Sequence, residues 1–376
     1  MVLGIDASSA AKPTRTGVEW YAYHLIQAFK TRPLAEGERV RLYAPAPLSG
    51  PLGELPPGWE TAVLPWQMPG WMRLRVGREM LQRPPDVLFV PSQGLPAFPP
   101  RRKGRATVTT IHDVGFRTAP ALYEAGARRR IAAATRRSIR LATHLLTVSE
   151  FSKREIVRAY HVPEERITVT PLAADPAFRP YDAAAHAAAQ AKYRLGTQYF
   201  LCVGRVETRK NQLTLLSAFE QFKARRGFGD PFELVLAGPM GWGGDAVRRY
   251  AEASSCRDAV RFIPYLPPED YAPLLSGATA FTFPSRYEGF GIPLVEAMAA
   301  GTPLVASDIP PHREVAGDAA LFVPPQETDA WIDVLARVAR DASLRGELRA
   351  RGLERAQAFS WERTADRTWE ALHAGA

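Results

Sequence analysis

The stretch Phe283-Pro-Ser-Arg-Tyr-Glu288-Gly-Phe-Gly-Ile-Pro293-Leu-Val-Glu296-Ala-Met-Ala-Ala-Gly301 runs from an apolar strand, through a glycine-bearing loop, into a helix. Repeated along a chain, that step builds a doubly wound α/β sheet. Pro293 suits the first helical position, where its missing N–H would have no partner anyway. The amides from Gly289 to Leu294 then point outward, and the helix dipole favours a phosphate or a sugar hydroxyl there. Gly289 and Gly291 let a ligand approach the backbone closely. Glu288 falls on the loop and Glu296 in the first helical turn, so the two address different parts of a ligand. Plainer readings fit equally: a solvated loop charge for Glu288, and a helix-favouring acid for Glu296.

The same alternation extends outward in both directions. Strands read at Val2–Ile5, Arg39–Tyr43, Val87–Val90, Thr107–Ile111 and His144–Val148. A helix reads from Val18 to Lys30, and Ser149 caps another from Glu150 to Tyr160. Thr170 to Pro180 carries three prolines without periodicity and reads as a linker. A short alanine-rich helix follows over residues 183–191. A second set of strands then runs through Tyr199–Val203, Leu234–Ala237, Val260–Ile263, Ala280–Phe283 and Leu304–Ala306, and the chain from Asp329 onward reads as helical. The expected architecture is α/β: two doubly wound, Rossmann-like domains, with ligands in a cleft at the carboxyl ends of the strands. The domains are expected over residues 1–180 and 181–358, with a last helix over 359–376.

At 376 residues the chain exceeds what one core usually supports, which agrees with two domains. No stretch of about 18 residues is apolar and uncharged, so no membrane-spanning helix is expected. The start reads as a strand and lacks the basic and apolar regions of a secretory signal. Cys202 and Cys256 make neither a disulfide framework nor a zinc site. The cytosol is the expected compartment. The net charge is +9. Much of it lies at Arg73, Arg75, Arg78 and Arg83, at Arg101, Arg102, Lys103 and Arg105, and at Arg128 to Arg130, Arg136, Arg137 and Arg140. That bias favours anionic partners, an anionic membrane face among them, or is a solvated arginine-rich surface. No zinc finger or aromatic-interleaved basic motif is present, so no nucleic acid is expected.

The chain carries no Gly-x-Gly-x-x-Gly after a strand, no Walker loop, no Gly-x-Ser-x-Gly elbow and no Asp-x-Asp pair. Its histidines are not at metal-ligand spacing, and no metal or cofactor is expected. Arg205 and Lys210 fall between the strand ending in Cys202-Val-Gly and the next helix. There they form either a diphosphate clamp or two solvated cations. His112 ends an apolar strand in Thr110-Ile-His-Asp113, facing the ligand side or serving structure. Gly17, after the first strand, permits close backbone approach to a phosphate or makes a plain turn.

Together these residues resemble the retaining glycosyltransferases of family 4, which have the GT-B fold. The most specific piece is Glu288 and Glu296, with seven residues between them, within Glu-Gly-Phe-Gly-Ile-Pro-Leu-Val-Glu-Ala-Met-Ala-Ala-Gly-Thr-Pro-Leu-Val-Ala-Ser-Asp. Arg205 and Lys210 match the family's phosphate-binding pair. Ile111-His-Asp113, Thr147-Val-Ser-Glu-Phe-Ser152 and Val315-Ala-Gly-Asp-Ala-Ala320 are similar to stretches common in it. The first loop departs from the family: only Thr16-Gly17-Val18 stands where many members have paired glycines.

The resemblance implies a deep cleft between the domains and a last helix that crosses back to the first of them. It implies that Glu296 bonds the donor ribose. Glu288, with the amides of Gly289, Phe290, Gly291 and Ile292, would hold the transferred sugar and phosphates. Arg205 and Lys210 would stabilise the departing diphosphate, and His112 would lie near the donor sugar. The implied reaction moves a hexose with retention and without a metal, from GDP-mannose or else UDP-glucose. The acceptor would be a saccharide or a lipid-linked saccharide, met at the inner membrane face. A sugar-nucleotide epimerase on the same fold, or a non-catalytic basic protein binding membrane or nucleic acid, would share the fold but not the transfer.

Overall fold

The computed structural model describes residues 1–101 and 103–374. Arg102 and the last two residues of the expected final helix, Gly375 and Ala376, lie outside the described residues. The chain forms two compact units. The first comprises Met1–Thr118, Ala125–Leu172 and the C-terminal segment from Ser360; the second comprises Ala119–Glu124 and Ala173–Phe359.

The first unit is a parallel sheet of β1 (Val2–Asp6), β2 (Arg39–Ala44), β3 (Trp59–Val63), β4 (Val87–Val90), β5 (Ala106–Thr110), β6 (His144–Thr147) and β7 (Ile167–Val169). Their order is β3-β2-β1-β4-β5-β6-β7, so the winding reverses between β1 and β4. The five strands read from the sequence are present to within a residue. The edge strands β3 and β7 are additions: each is only partly buried, so neither shows an apolar run.

The first helix spans Gly17–Lys30, its start set by Glu19, whose carboxylate accepts the Thr16 N–H at 3.1 Å. Ser149 caps the helix Glu150–Tyr160 as expected, accepting the Ser152 N–H at 2.9 Å.

The second unit is a parallel sheet of β8 (Tyr199–Val203), β9 (Glu233–Ala237), β10 (Val260–Ile263), β11 (Ala280–Phe283), β12 (Leu304–Ser307) and β13 (Ala320–Val323). Here the order is β10-β9-β8-β11-β12-β13. Strands β8 and β11 are far apart in sequence but neighbours in space, with Ala280 opposite Phe200. The winding reverses between them, and a ligand crevice opens at such a point. Phe200, Phe219, Phe222 and Phe232 pack into one aromatic cluster behind the sheet, with Trp331 wholly buried beside it.

The helical tail expected from Asp329 is three helices, Thr328–Arg340, Ala342–Ala356 and Trp361–Ala374. Asp341 breaks the first junction by capping the second helix, accepting the Leu344 N–H at 2.9 Å. The last helix belongs to the first unit, as a crossing-back helix requires. Trp369 meets Phe29 edge-on at 5.2 Å, Thr364 bonds the Pro171 carbonyl at 2.5 Å, and His373 reaches Glu38 at 2.8 Å.

Candidate functional site

The crevice between β8 and β11 brings two loops together. Leaving β8, Gly204 takes φ +139°, a conformation that L side chains rarely adopt. The neighbouring loop after β9 presses on it: a Cβ on Gly238 would lie 2.2 Å from the Gly204 carbonyl oxygen. Asn211, itself left-handed, ties this loop to its neighbours, donating to the carbonyls of Pro284 at 3.1 Å and Pro325 at 2.6 Å.

Lys210 and Glu288 meet at the centre, with Nζ to Oε1 at 2.5 Å. The other oxygen of Glu288 accepts from Arg209 at 2.8 Å, and Arg209 also bonds Glu207 at 2.9 Å. Glu288 is buried, which excludes the solvated-loop reading. Burial alone would raise its pKa, but the charges of Arg209 and Lys210 outweigh that and hold it well below the usual carboxylate range. The Lys210 ammonium also lies 4.9 Å from the centre of the Phe283 ring. Arg205 differs: it is half-exposed, and its closest carboxylate is Glu207 at 3.9 Å. Of the two expected clamp cations, Lys210 is held in a close, buried ion pair and Arg205 in a long, half-exposed one.

The loop after β11 behaves in part as expected. Gly291 has φ +102° and precedes the helix Ile292–Ala299. Phe290 turns its ring into the protein against Phe359 at 5.7 Å, so only its backbone is left for a ligand. Gly289 is buried in the same loop. Three details are corrected. Pro293 is the second helical residue, because the helix begins at Ile292. The Leu294 N–H is not free, since it donates to the Gly291 carbonyl at 2.9 Å. Glu296 stands in the second turn, beyond the reach of the terminal dipole.

Glu296 accepts a hydrogen bond from the buried Tyr271 hydroxyl at 2.9 Å. Its pKa is pushed up to about 7, by burial first and by nearby Asp175, with the Tyr271 bond opposing. The folded protein therefore keeps a proton that the unfolded chain releases near 4.5. Stability is expected to fall as pH rises from 4.5 to about 7. Glu296→Gln should flatten that slope, which urea midpoints across the interval would show; an unchanged slope would assign it to other groups.

Two residues that sequence reasoning passed over belong here. Arg209 stood inside the cationic loop, and its adjacency to Lys210 was the available signal. His312 had none. It is fully buried with its ring 5.0 Å from Phe283, and its Nδ1 donates to the Ser307 carbonyl at 2.9 Å. Burial pulls its pKa down to about 4 despite the nearby Glu288 carboxylate, so it is neutral near pH 7.

The remaining sites lie in the first unit. Gly17 is the exposed first residue of its helix and has no left-handed backbone. His112 donates from Nε2 to the Pro91 carbonyl at 3.0 Å and meets Tyr21 edge-on at 4.9 Å. Burial lowers its pKa, so near neutral pH it is an uncharged ring with Nδ1 as acceptor. Within the basic cluster Arg137 is structural, its guanidinium bonding the carbonyls of Leu95, Pro96 and Ala97. Arg129, Arg130, Arg136 and Arg140 are exposed. No helix of the described residues is long and apolar enough to cross a membrane, and no three His, Cys, Asp or Glu side chains among them converge on a metal position.

Fold and site together define an α/β protein with two Rossmann-like sheets and a cationic, glutamate-anchored crevice at the switch point of the second. Residues 15–178 match the family model described as Glycosyltransferase Family 4, and residues 187–356 that of Glycosyl transferases group 1. The O-antigen chain mannosyltransferase B of Escherichia coli is 36% identical over 273 residues, 72% of this chain and 71% of that one. The D-inositol 3-phosphate glycosyltransferase of Nocardia farcinica is 32% identical over 228 residues, but only half of its length is spanned. Among solved structures, the sucrose-phosphate synthase of Thermosynechococcus elongatus superposes over all of both chains, with a TM-score of 0.76 and 21% identity. Anabaena HepE in complex with UDP-glucose does so with a TM-score of 0.75 and 16% identity. These two establish the GT-B fold class. The chain belongs to the family 4, or group 1, glycosyltransferases.

Proposed function

We propose that this glycosyltransferase moves mannose from GDP-mannose to a hydroxyl of a saccharide or lipid-linked saccharide, with retention and without a protein-held metal. The observation that carries the proposal is the meeting of Arg209, Lys210 and Glu288 at the switch point between β8 and β11, with Arg205 half-exposed on the same loop. Arg205 and Lys210 meet the departing diphosphate, and their charge stabilises the negative charge that grows as the glycosidic bond breaks. Glu288 places Lys210 and, with the backbone from Gly289 to Ile292, holds the sugar. Glu296 addresses the ribose. His112 offers an uncharged hydrogen-bonding ring from the first unit.

Both oxygens of Glu288 hold cations, and Glu296 is bonded to Tyr271. Neither is a ready nucleophile, which favours a front-face route in which a donor phosphate oxygen takes the acceptor proton. The choice of mannose rests on the Escherichia coli relative's name. UDP-glucose is the second reading, favoured by the ligand of the Anabaena neighbour.

Incubation with a donor panel, with and without EDTA, tests this by mass spectrometry of released nucleotide. Release of GDP from GDP-mannose in EDTA is expected. Release of UDP alone reverses the donor assignment, dependence on a divalent ion removes metal independence, and an epimerised sugar nucleotide would make the protein an epimerase.

The first unit also exposes Leu74, Leu81 and Phe98 beside Arg73, Arg78 and Arg101, a combination suited to an anionic bilayer. Sedimentation with phosphatidylglycerol vesicles should be lost in Leu74→Asp/Leu81→Asp; no sedimentation of the parent protein would remove the membrane contact.

A further inference from the structure

A cavity of about 300 Å³ opens in the second unit beside the crevice, and none of the donor residues named above lines it. Its walls are the short 3-10 turn Pro120–Leu122, Pro325 and Gln326, and its cation is Arg286. From Ala280 to Gly291 every residue is buried except Arg286. Its backbone N–H donates to the Arg209 carbonyl at 2.9 Å, which fixes its base to the loop that holds Glu288. Its guanidinium has no hydrogen-bond or ion-pair partner among the described residues. Along the chain Tyr287 and Glu288 turn into the protein, while Arg286 turns to the cavity.

Pro120, Ala121, Leu122 and Pro325 are apolar, and a charge interaction against such walls is less weakened than one in open water. A guanidinium fork pairs with phosphate oxygens two at a time. A single arginine in an apolar recess selects a ligand with one anionic end and a less polar remainder. The space suits a small ligand group rather than a macromolecule.

We propose that this cavity is an acceptor subsite for a phosphate or diphosphate ester, with the ester oxygens on Arg286 and its substituent against Pro120 and Leu122. The proposal rests on the glycosyl-transfer reading and names what the acceptor carries. The ester can come from a lipid diphosphate or from a soluble sugar phosphate, and the experiment separates the two.

The full chain is first titrated with GDP and UDP by calorimetry. It is then held saturated with whichever binds, so that the clamp is filled, and titrated with farnesyl diphosphate, mannose 1-phosphate and farnesol. Farnesyl diphosphate or mannose 1-phosphate should bind alongside the nucleotide, and farnesol should not. Arg286→Gln should weaken that binding at least about tenfold, the loss of one charge-assisted contact, and leave nucleotide affinity unchanged. Leu122→Asn should weaken farnesyl diphosphate more than mannose 1-phosphate. A preference for farnesyl diphosphate assigns a lipid acceptor, and the reverse a soluble one. The proposal is overturned if neither ester binds beside the nucleotide, if Arg286→Gln binds both as well as the parent, or if that variant loses the nucleotide instead. A chain that binds neither nucleotide would count against the glycosyl-transfer reading itself. The esters are then titrated alone, and the Arg286 comparison still decides the subsite.

Discussion

Lys210→Ala is expected to lower kcat by roughly 10²–10³-fold, the cost of removing one preorganised charge from a developing oxyanion. The lysine reaches the crevice from the β8 loop and is buried against Phe283 and Glu288. Buried charges interact more strongly than solvated ones, and a lysine already in place needs no reorganisation when the diphosphate departs. The variant should fold, because Glu288 keeps Arg209. Donor KM should change less than kcat, since the interaction strengthens as charge builds on the leaving group. Single-turnover kinetics with circular dichroism of the variant would decide. A kcat within about fivefold of the parent would sink the assignment, because so small a change is only about 1 kcal/mol of transition-state stabilisation.

Glu288→Ala should be the most damaging change to stability among the site residues, by about 3–5 kcal/mol. Glu288 is the acid between Arg209 and Lys210; without it both cations remain partly buried and face each other. Urea midpoints would measure the loss. Glu288→Ala/Lys210→Met should recover part of it, because the second change removes one stranded charge. The coupling between the two sites is then the test, and additive losses would mean that the 2.5 Å contact contributes nothing to folding. Neither variant should transfer sugar at a useful rate.

The sequence made the strand–helix alternation legible because parallel strands buried on both faces are short apolar runs, and their helices keep a 3.6-residue period. Residues that act through local backbone were legible too. Ser149 before an apolar helical pattern is a cap wherever it occurs, and Gly291 ahead of Pro293 marks a helix start. Edge strands such as β3 and β7 were not legible, since half-exposed strands lose the apolar run that identifies them.

What the sequence determined by itself was the class of the protein: two α/β halves, a glutamate pair spaced around a helix start, and cations on the loop after β8. Those features are local, set by residues within a turn or two of one another. The partners were decided only in three dimensions. The crossover that seats β11 beside β8 turns two loops separated by some seventy residues of chain into one site. It converts Lys210 from a free cation into the partner of Glu288, adds Arg209, brings the His312 ring against Phe283, and turns Arg286 away into a cavity of its own. Charge, burial and pairing are properties of neighbours, and a parallel sheet chooses neighbours by its winding order rather than by distance along the chain.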